Sequence, residues 1–324
     1  MTMRRMGRGG PDTPLITRAD IPPMPGLVDV TSVFNPGAVA LGGDTLLLLR
    51  VQSRGRRSFL VPARFDDDFD VIVARRPTEL LGLDRLPLQV FHVYDPRLTM
   101  LDGVLWVVTA LDTDQGGRLA LWRAVGDAKA GFGGTDRLEL AGLTGDHDTR
   151  NGVLFPARVG GRALMLERPN RTTPAGGPPT GGTISLLASD DLARWEPAGD
   201  LMSGRFHYWD ELIGAGPPPV LTKRGWLLVY HGVATHFASA NIYQAGCVLL
   251  DRDDPSRVIA RGGDNILEPR LPWELTGQVP NVTFPSGMTV NADGGVRIFY
   301  GAADTCVGML ETTLDDLLAA CDAP

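Results

Sequence analysis

Cysteine is scarce in this chain: Cys247, Cys306 and Cys321 are the only three in 324 residues. An odd, widely spaced set with no C-x-x-C pair supports neither a disulfide framework nor a zinc site, so all three are expected as reduced, buried thiols. Basic charge is not in excess either. The net charge is -7, whereas proteins that hold a nucleic-acid backbone gather Lys and Arg into a surplus patch. No run of about eighteen uninterrupted apolar residues occurs, so no membrane-crossing helix is expected. Arg4, Arg5 and Arg8 open the chain without a signal-length apolar run behind them, which makes the cytoplasm the expected location. The acidic runs Asp66-Asp67-Asp68 and Asp251 to Asp254 lack the spacing of a calcium loop and read as solvated turns. Neither a metal nor an organic cofactor is expected.

Turn formers, by contrast, are abundant: 40 glycines and 25 prolines, enough to punctuate many short strands. Five stretches begin alike, with a proline, a short strand, a glycine-containing turn and an apolar strand. Their prolines are Pro36, Pro96, Pro156, Pro217 and Pro285, spaced by 60, 60, 61 and 68 residues. The turns, such as Gly42-Gly43-Asp44 and Asp102-Gly103, carry residues that tolerate positive φ, as a hairpin loop requires. Further strand-like runs follow each hairpin, among them 57–63 and 118–124. Units of several strands repeated at so regular a step are arranged most economically as blades around an axis. The expected fold is therefore all-β, a five-bladed β-propeller with short peripheral helical segments. Its parts are an N-terminal extension over 1–30, the propeller over 31–312 and a C-terminal helical tail over 313–324. Thr313 would cap that helix, with Asp315 and Asp316 in its first turn. The Pro-, Gly- and Thr-rich stretch 169–182 reads as a loop over one face.

In a propeller, equivalent positions of each unit point at one central site. The residue before each proline is Asn35, Asp95, Phe155, Gly216 and Phe284, so a single carboxylate stands among them. The far ends of the second hairpin strands read Arg50, Ala110, Arg168, His231 and Asp304, polar endings to apolar runs. Singly, each has a bland reading: an arginine that meets solvent, a histidine satisfied in the core. Together, at equivalent repeat positions, they point to a shared cavity. Asp210 and Glu211, beside Trp209, are candidates for ligands or a base, against the plainer reading of solvated turn residues. Tyr94, Tyr208, Tyr230, Tyr243 and Trp209 are candidates for stacking on sugar faces, against the plainer reading of core aromatics. A lone acid ringed by cations suits inverting glycoside cleavage. If water is the acceptor, a second carboxylate must activate it. If phosphate is, Arg and His must hold the dianion.

The motifs YDPRLT (94–99), RNGVLFP (150–156), LERP (166–169), GAGPPP (214–219), YHGV (230–233), VPNVTFPSG (279–287) and YGAADT (300–305) resemble family 130 of the glycoside hydrolases, the β-mannoside phosphorylases and mannosidases. The likeness runs from about Asn35 to Asp304 and implies a five-bladed propeller. It makes Asp95 the general acid, acting in some members through a sugar hydroxyl. It places Asn35, Arg50, Asn151, Asn281 and Asp304 around the mannosyl ring, with Tyr243 near the sugar or the phosphate. Arg150, Arg168 and His231 match the family's phosphate ligands. One cation is missing: phosphorylases of the family carry Lys or Arg just before the GAG motif, and here the sequence reads Trp209-Asp210-Glu211-Leu212-Ile213-Gly214. Phosphorolysis of a β-linked manno-oligosaccharide or mannosyl-sugar to mannose 1-phosphate, with inorganic phosphate as co-substrate, is the favoured reading. An inverting exo-β-mannosidase acting on β-1,2-mannosides, with Glu211 as base, is the alternative, and a non-catalytic sugar-binding propeller the third. A homo-oligomer is compatible with all three.

Overall fold

The computed structural model describes residues 3–66, 69–170, 181–235 and 240–323. Most of the loop expected over 169–182 lies outside them. Five antiparallel sheets of four or five strands succeed one another along the chain. Blade 1 is built from Val30–Leu41, Asp44–Ser53, Ser58–Phe65 and Val71–Val73, and blade 2 from Val90–Leu101, Val104–Thr113, Gly116–Ala124 and Arg137–Leu143, with Glu79–Leu81 parallel at its edge. Blade 3 holds Thr149–Leu154, Ala163–Pro169, Thr183–Ser189 and Glu196–Ser203. Blade 4 holds Leu212–Ala215, Val220–Leu221, Trp226–Ala234, Ile242–Leu250 and Val258–Arg261. The core lies between blades, where alternating apolar residues of neighbouring sheets interdigitate: Leu46 and Leu48 of blade 1 pack with Val107 and Trp122 of blade 2.

Both chain ends build blade 5. Its inner strands are Thr283–Val290, Gly295–Ala302 and Cys306–Thr313, and its outer strands are Arg4–Gly7 and Gly10–Pro11. The stretch 1–30, expected as an extension, thus supplies sheet strands, with Arg4 paired to Glu311 and Met6 to Met309. A buried polar knot fastens this seam. Glu274 is fully buried; it accepts from Arg5 Nε at 2.7 Å, from the Tyr300 hydroxyl at 2.7 Å and from the Arg270 and Leu271 amides. Arg5→Met would strand a buried carboxylate, and is expected to cost about 3–5 kcal/mol of stability in urea denaturation. Arg4→Met, one residue earlier and exposed, is expected to stay within about 0.5 kcal/mol. Equal effects would mean that the seam is held by its backbone ladder alone.

The C-terminal helix covers Leu314–Asp322, and the Thr313 hydroxyl accepts from the Asp316 amide at 3.1 Å. It docks rather than trails: Leu317, Ala320 and Cys321 are buried with Cys247 in the core between blades 4 and 5. All three cysteines are free and buried.

The first two strands of blades 1, 2 and 3 share one irregularity. Phe34 pairs with Arg50 and the next pair is Gly37 with Leu48, so that Asn35 and Pro36 face a single partner residue. Blade 2 repeats this between Tyr94–Ala110 and Arg97–Val108, and blade 3 between Arg150–Arg168 and Val153–Leu166. Such a bulge bends the strand and re-aims one side chain. Its first residue is left-handed each time: Asn35 at φ 45, Asp95 at φ 53 and Asn151 at φ 54. Asn and Asp are the non-glycine residues that tolerate this region best. Blade 3 therefore departs from the proline alignment by four residues. Asn151, not Phe155, is the equivalent of Asp95. Phe155 is a core residue, edge-on to Trp226 at 5.1 Å.

Candidate active site

The three bulges open onto a funnel of about 660 Å³ to which all five blades contribute, including Asn35, Asp95, Arg150, Tyr243 and Asp304. That size and its mixed polar and aromatic lining are usual for a small-molecule site. At its centre Asp95 Oδ1 accepts from Asn35 Nδ2 at 3.0 Å and from Arg50 Nη1 at 2.8 Å. Arg50 is itself clamped between the rings of Phe34 and Tyr94, at 4.5 and 4.7 Å. Burial pushes the Asp95 carboxyl up, but the charges of Arg50 and Arg97 and the hydrogen bonds from Asn35 and Arg50 outweigh it and hold the group below the usual carboxylate range.

Arg97, unassigned in the sequence reading, is 1% exposed. Its Nε donates to the Gly216 carbonyl of blade 4 at 2.7 Å, and Nη1 to the Asp95 and Pro96 carbonyls at 3.2 Å each. It thus ties the left-handed Asp95 turn to the opposite side of the ring. Burial lowers its pKa to about 10 against the attraction of Asp95.

Asp304 lies two residues beyond the strand Gly295–Ala302, in a left-handed turn at φ 50. It is therefore not the strand-end equivalent of Arg50, though it reaches the same funnel. Burial raises its pKa to about 6, with Arg50 opposing and Asp95 adding to the rise. Two carboxyls of one cavity are thus pushed apart, one ionised and one protonated in mildly acidic solution.

Arg150 and Arg168 are directly opposed across one ladder and both line the funnel. Like charges placed so repel. Each is half-buried, each Nε is buried without a hydrogen-bond partner, and neither has a carboxylate partner among the described residues. Burial first, then Arg150, lowers the Arg168 pKa, while Tyr243 opposes. Tyr243 completes this wall; its amide donates to the Asn281 carbonyl at 2.9 Å.

Several expected residues are placed elsewhere. His231 is fully buried and does not line the funnel. Its ring sits against Phe284, centroids 4.5 Å apart, and beneath Gly214, where a Cβ would come within 2.3 Å of it. Burial, then the charges of Arg168 and Arg97, drives its pKa far down, with the Ala215 backbone opposing slightly. It is a neutral ring, not a third cation. Asn281, left-handed at φ 60, does not line the funnel either and serves Tyr243 through its backbone. Glu211 is likewise absent from the lining, and its carboxylate accepts from the Thr235 hydroxyl. Asp210 is no solvated turn residue: fully buried, it accepts from Arg205, Arg261 and the Tyr230 hydroxyl. Of the candidate stacking aromatics, Tyr94 and Tyr243 line the funnel, Tyr230 is core and Tyr208 faces solvent.

Residues 25–323 match the profile of the β-1,4-mannooligosaccharide phosphorylases. A 1,2-β-oligomannan phosphorylase from Thermoanaerobacter sp. (strain X514) is 33% identical over 227 residues, 69% of either chain. A β-1,4-mannooligosaccharide phosphorylase from Ruminococcus albus is 39% identical over 171 residues, and that match spans 52% of this chain and about half, 49%, of the relative. The solved β-1,2-mannobiose phosphorylase of Listeria innocua, in complex with β-1,2-mannobiose, superposes with a TM-score of 0.81 at 23% identity over 99% of both chains. With a five-bladed propeller, a bulge-borne carboxylate at its centre and a profile match over nearly the whole length, the chain belongs to family 130 of the glycoside hydrolases, the family of the β-1,4-mannooligosaccharide phosphorylases.

Proposed function

We propose that this protein is an inverting β-mannoside phosphorylase, releasing mannose 1-phosphate and a free sugar. The observation that carries the reading is the opposed Arg150–Arg168 pair, two cations with no carboxylate partner among the described residues. Repulsion built into one ladder is relieved by a dianion, and paired guanidinium forks match phosphate oxygens. Phosphate brings its own nucleophilic oxygen, so no second carboxylate is needed as base. The position of Glu211 outside the funnel agrees with that and speaks against the hydrolytic alternative. The relatives named as mannoside phosphorylases support the same reaction class.

In the proposed step a phosphate oxygen attacks the anomeric carbon from the face opposite the leaving group. The bond to the leaving oxygen breaks, and that oxygen takes its proton from Asp95, directly or through a sugar hydroxyl. Asp95 is ionised in the free protein. Sugar hydroxyls that draw off the Asn35 and Arg50 hydrogen bonds remove two of the contacts that hold it so and shift the balance towards the protonated acid that burial favours, against the remaining charges of Arg50 and Arg97. Asp95 must carry a proton when it acts, and Asp304, a second carboxyl of the funnel, holds one only below about pH 6. At phosphate well below saturation, kcat/KM for the mannoside, which then reports the free enzyme, is therefore expected to fall as pH rises through about 6. Asp304→Asn should remove that limb; a wild-type profile flat across this range takes Asp304 out of the proton inventory.

Incubation with β-1,2- and β-1,4-mannobiose, with and without phosphate, tests the function itself. Mannose 1-phosphate formed only with phosphate is expected. Equal free mannose in both conditions, with no sugar phosphate, overturns the reading.

A further inference from the structure

The central acid meets, through Asn35, the seam that closes the ring. Asn35, which donates to Asp95 Oδ1 at 3.0 Å, belongs to blade 1, and its other flank rests on blade 5. There it meets Gly301, a buried residue of the strand Gly295–Ala302 that pairs with Phe284 on one side and Val307 on the other. A Cβ on Gly301 would overlap the Asn35 amide oxygen outright and stand 2.9 Å from the Asn35 backbone nitrogen. Only a residue without a side chain leaves that space.

Asn35 has no room to retreat. It is 4% exposed, and its bulge is wedged between two blades. On the blade 5 side Ser286 Oγ donates to the Pro36 carbonyl at 2.9 Å, and a Cβ on Gly287 would come within 2.9 Å of the same carbonyl oxygen. On the blade 2 side a Cβ on Gly37 would come within 2.7 Å of the Pro96 carbonyl oxygen. Packing this close transmits a displacement instead of absorbing it.

The Asn35 amide is also held in one sense. Its nitrogen faces Asp95, and its oxygen, buried against Gly301, has no hydrogen-bond partner among the described residues. Burying an amide oxygen unpaired is costly. Turning the amide over, however, would set that oxygen against the Asp95 carboxylate, acceptor against acceptor. The space at Gly301 therefore keeps the donor on the acid.

Given Asp95 as the acid of the proposed phosphorolysis, we propose that Gly301 is a positioning residue: by leaving the space that the Asn35 amide oxygen fills, it sets the hydrogen bond that aims the Asp95 carboxyl. Gly301 does not itself line the funnel. It acts through Asn35.

A double-mutant cycle on kcat tests this. Gly301→Ala is expected to lower kcat by about 10- to 100-fold, as slight misplacement of a catalytic group does. KM for phosphate should stay unmoved, because Arg150 and Arg168 lie on blade 3. Asn35→Gly, which keeps the left-handed φ without strain, is expected to lose a similar factor. Adding Gly301→Ala to it should then cost no more than about threefold further, since the overlapping oxygen is gone. Losses that multiply overturn the proposal, and so does a kcat for Asn35→Gly within about twofold of wild type. Should Gly301→Ala fold poorly, Asn35→Gly is expected to restore the fold, and a double variant equally unfolded overturns the proposal. The cycle compares rates whatever the acceptor. A wild type that hydrolyses mannobiose overturns the phosphorylase reading and leaves Gly301 to be judged by the same four rates.

Discussion

Asp95→Asn is expected to lower kcat for phosphorolysis by about 10²- to 10⁴-fold, the usual contribution of a positioned proton donor. The substitution isolates that role because little else changes. Asn35 and Asn151 hold the same left-handed bulge position in blades 1 and 3, so the backbone accepts an asparagine there without added strain. The amide oxygen still accepts from Asn35 and Arg50, which donate to the carboxylate at 3.0 and 2.8 Å. What disappears is the transferable proton and the charge. Losing that charge also relieves Asp304 of a like-charged neighbour, so its pKa falls from about 6 and the limb of kcat/KM moves to lower pH. A loss smaller than tenfold, with mannoside binding intact, would take the proton-donor role away from Asp95.

Arg168→Met should raise the phosphate KM by about 100-fold or more, since removing one partner of a buried charge-assisted contact costs about 2–5 kcal/mol. Thermal unfolding gives an independent readout. An anion that binds only the folded state at 100 times its Kd stabilises it by about 2.7 kcal/mol, so phosphate should raise the wild-type midpoint and leave the variant unmoved. Without phosphate the variant should be no less stable than wild type, because the substitution removes one of two opposed like charges. A wild-type midpoint indifferent to phosphate would sink the assignment of this pair. The neutral His231, and a stretch 209–214 that holds neither Lys nor Arg just before the GAG motif, leave these two arginines with the anion's charge to balance.

The repeat was legible because its causes are local. Turn residues that accept positive φ and apolar strands on either side specify a hairpin wherever they occur, and five of them at a near-constant step name the architecture. The same regularity placed Asn35, Arg50, Asp95 and Arg168 at one end of their hairpins, and the funnel gathers all four. It misled in blade 3, where proline marks Phe155 but the bulge sits at Asn151. Proline spacing follows the chain, whereas a bulge is set by how two strands pair.

By itself, then, the sequence determined the class of fold, the number of blades, the candidate acid and the family to which the chain belongs. Tertiary structure alone decided the closure of the ring through Arg4 against Glu311, since strands so far apart in the chain leave no shared local pattern. It also decided which polar residues work as charges. Asp210 and His231 look as available as Asp95 and Arg168 in a string of letters, yet Asp210 is consumed by two arginines and a tyrosine, and His231 is stripped of its proton by burial. Solvation and pairing set ionisation, and both are properties of the packed fold.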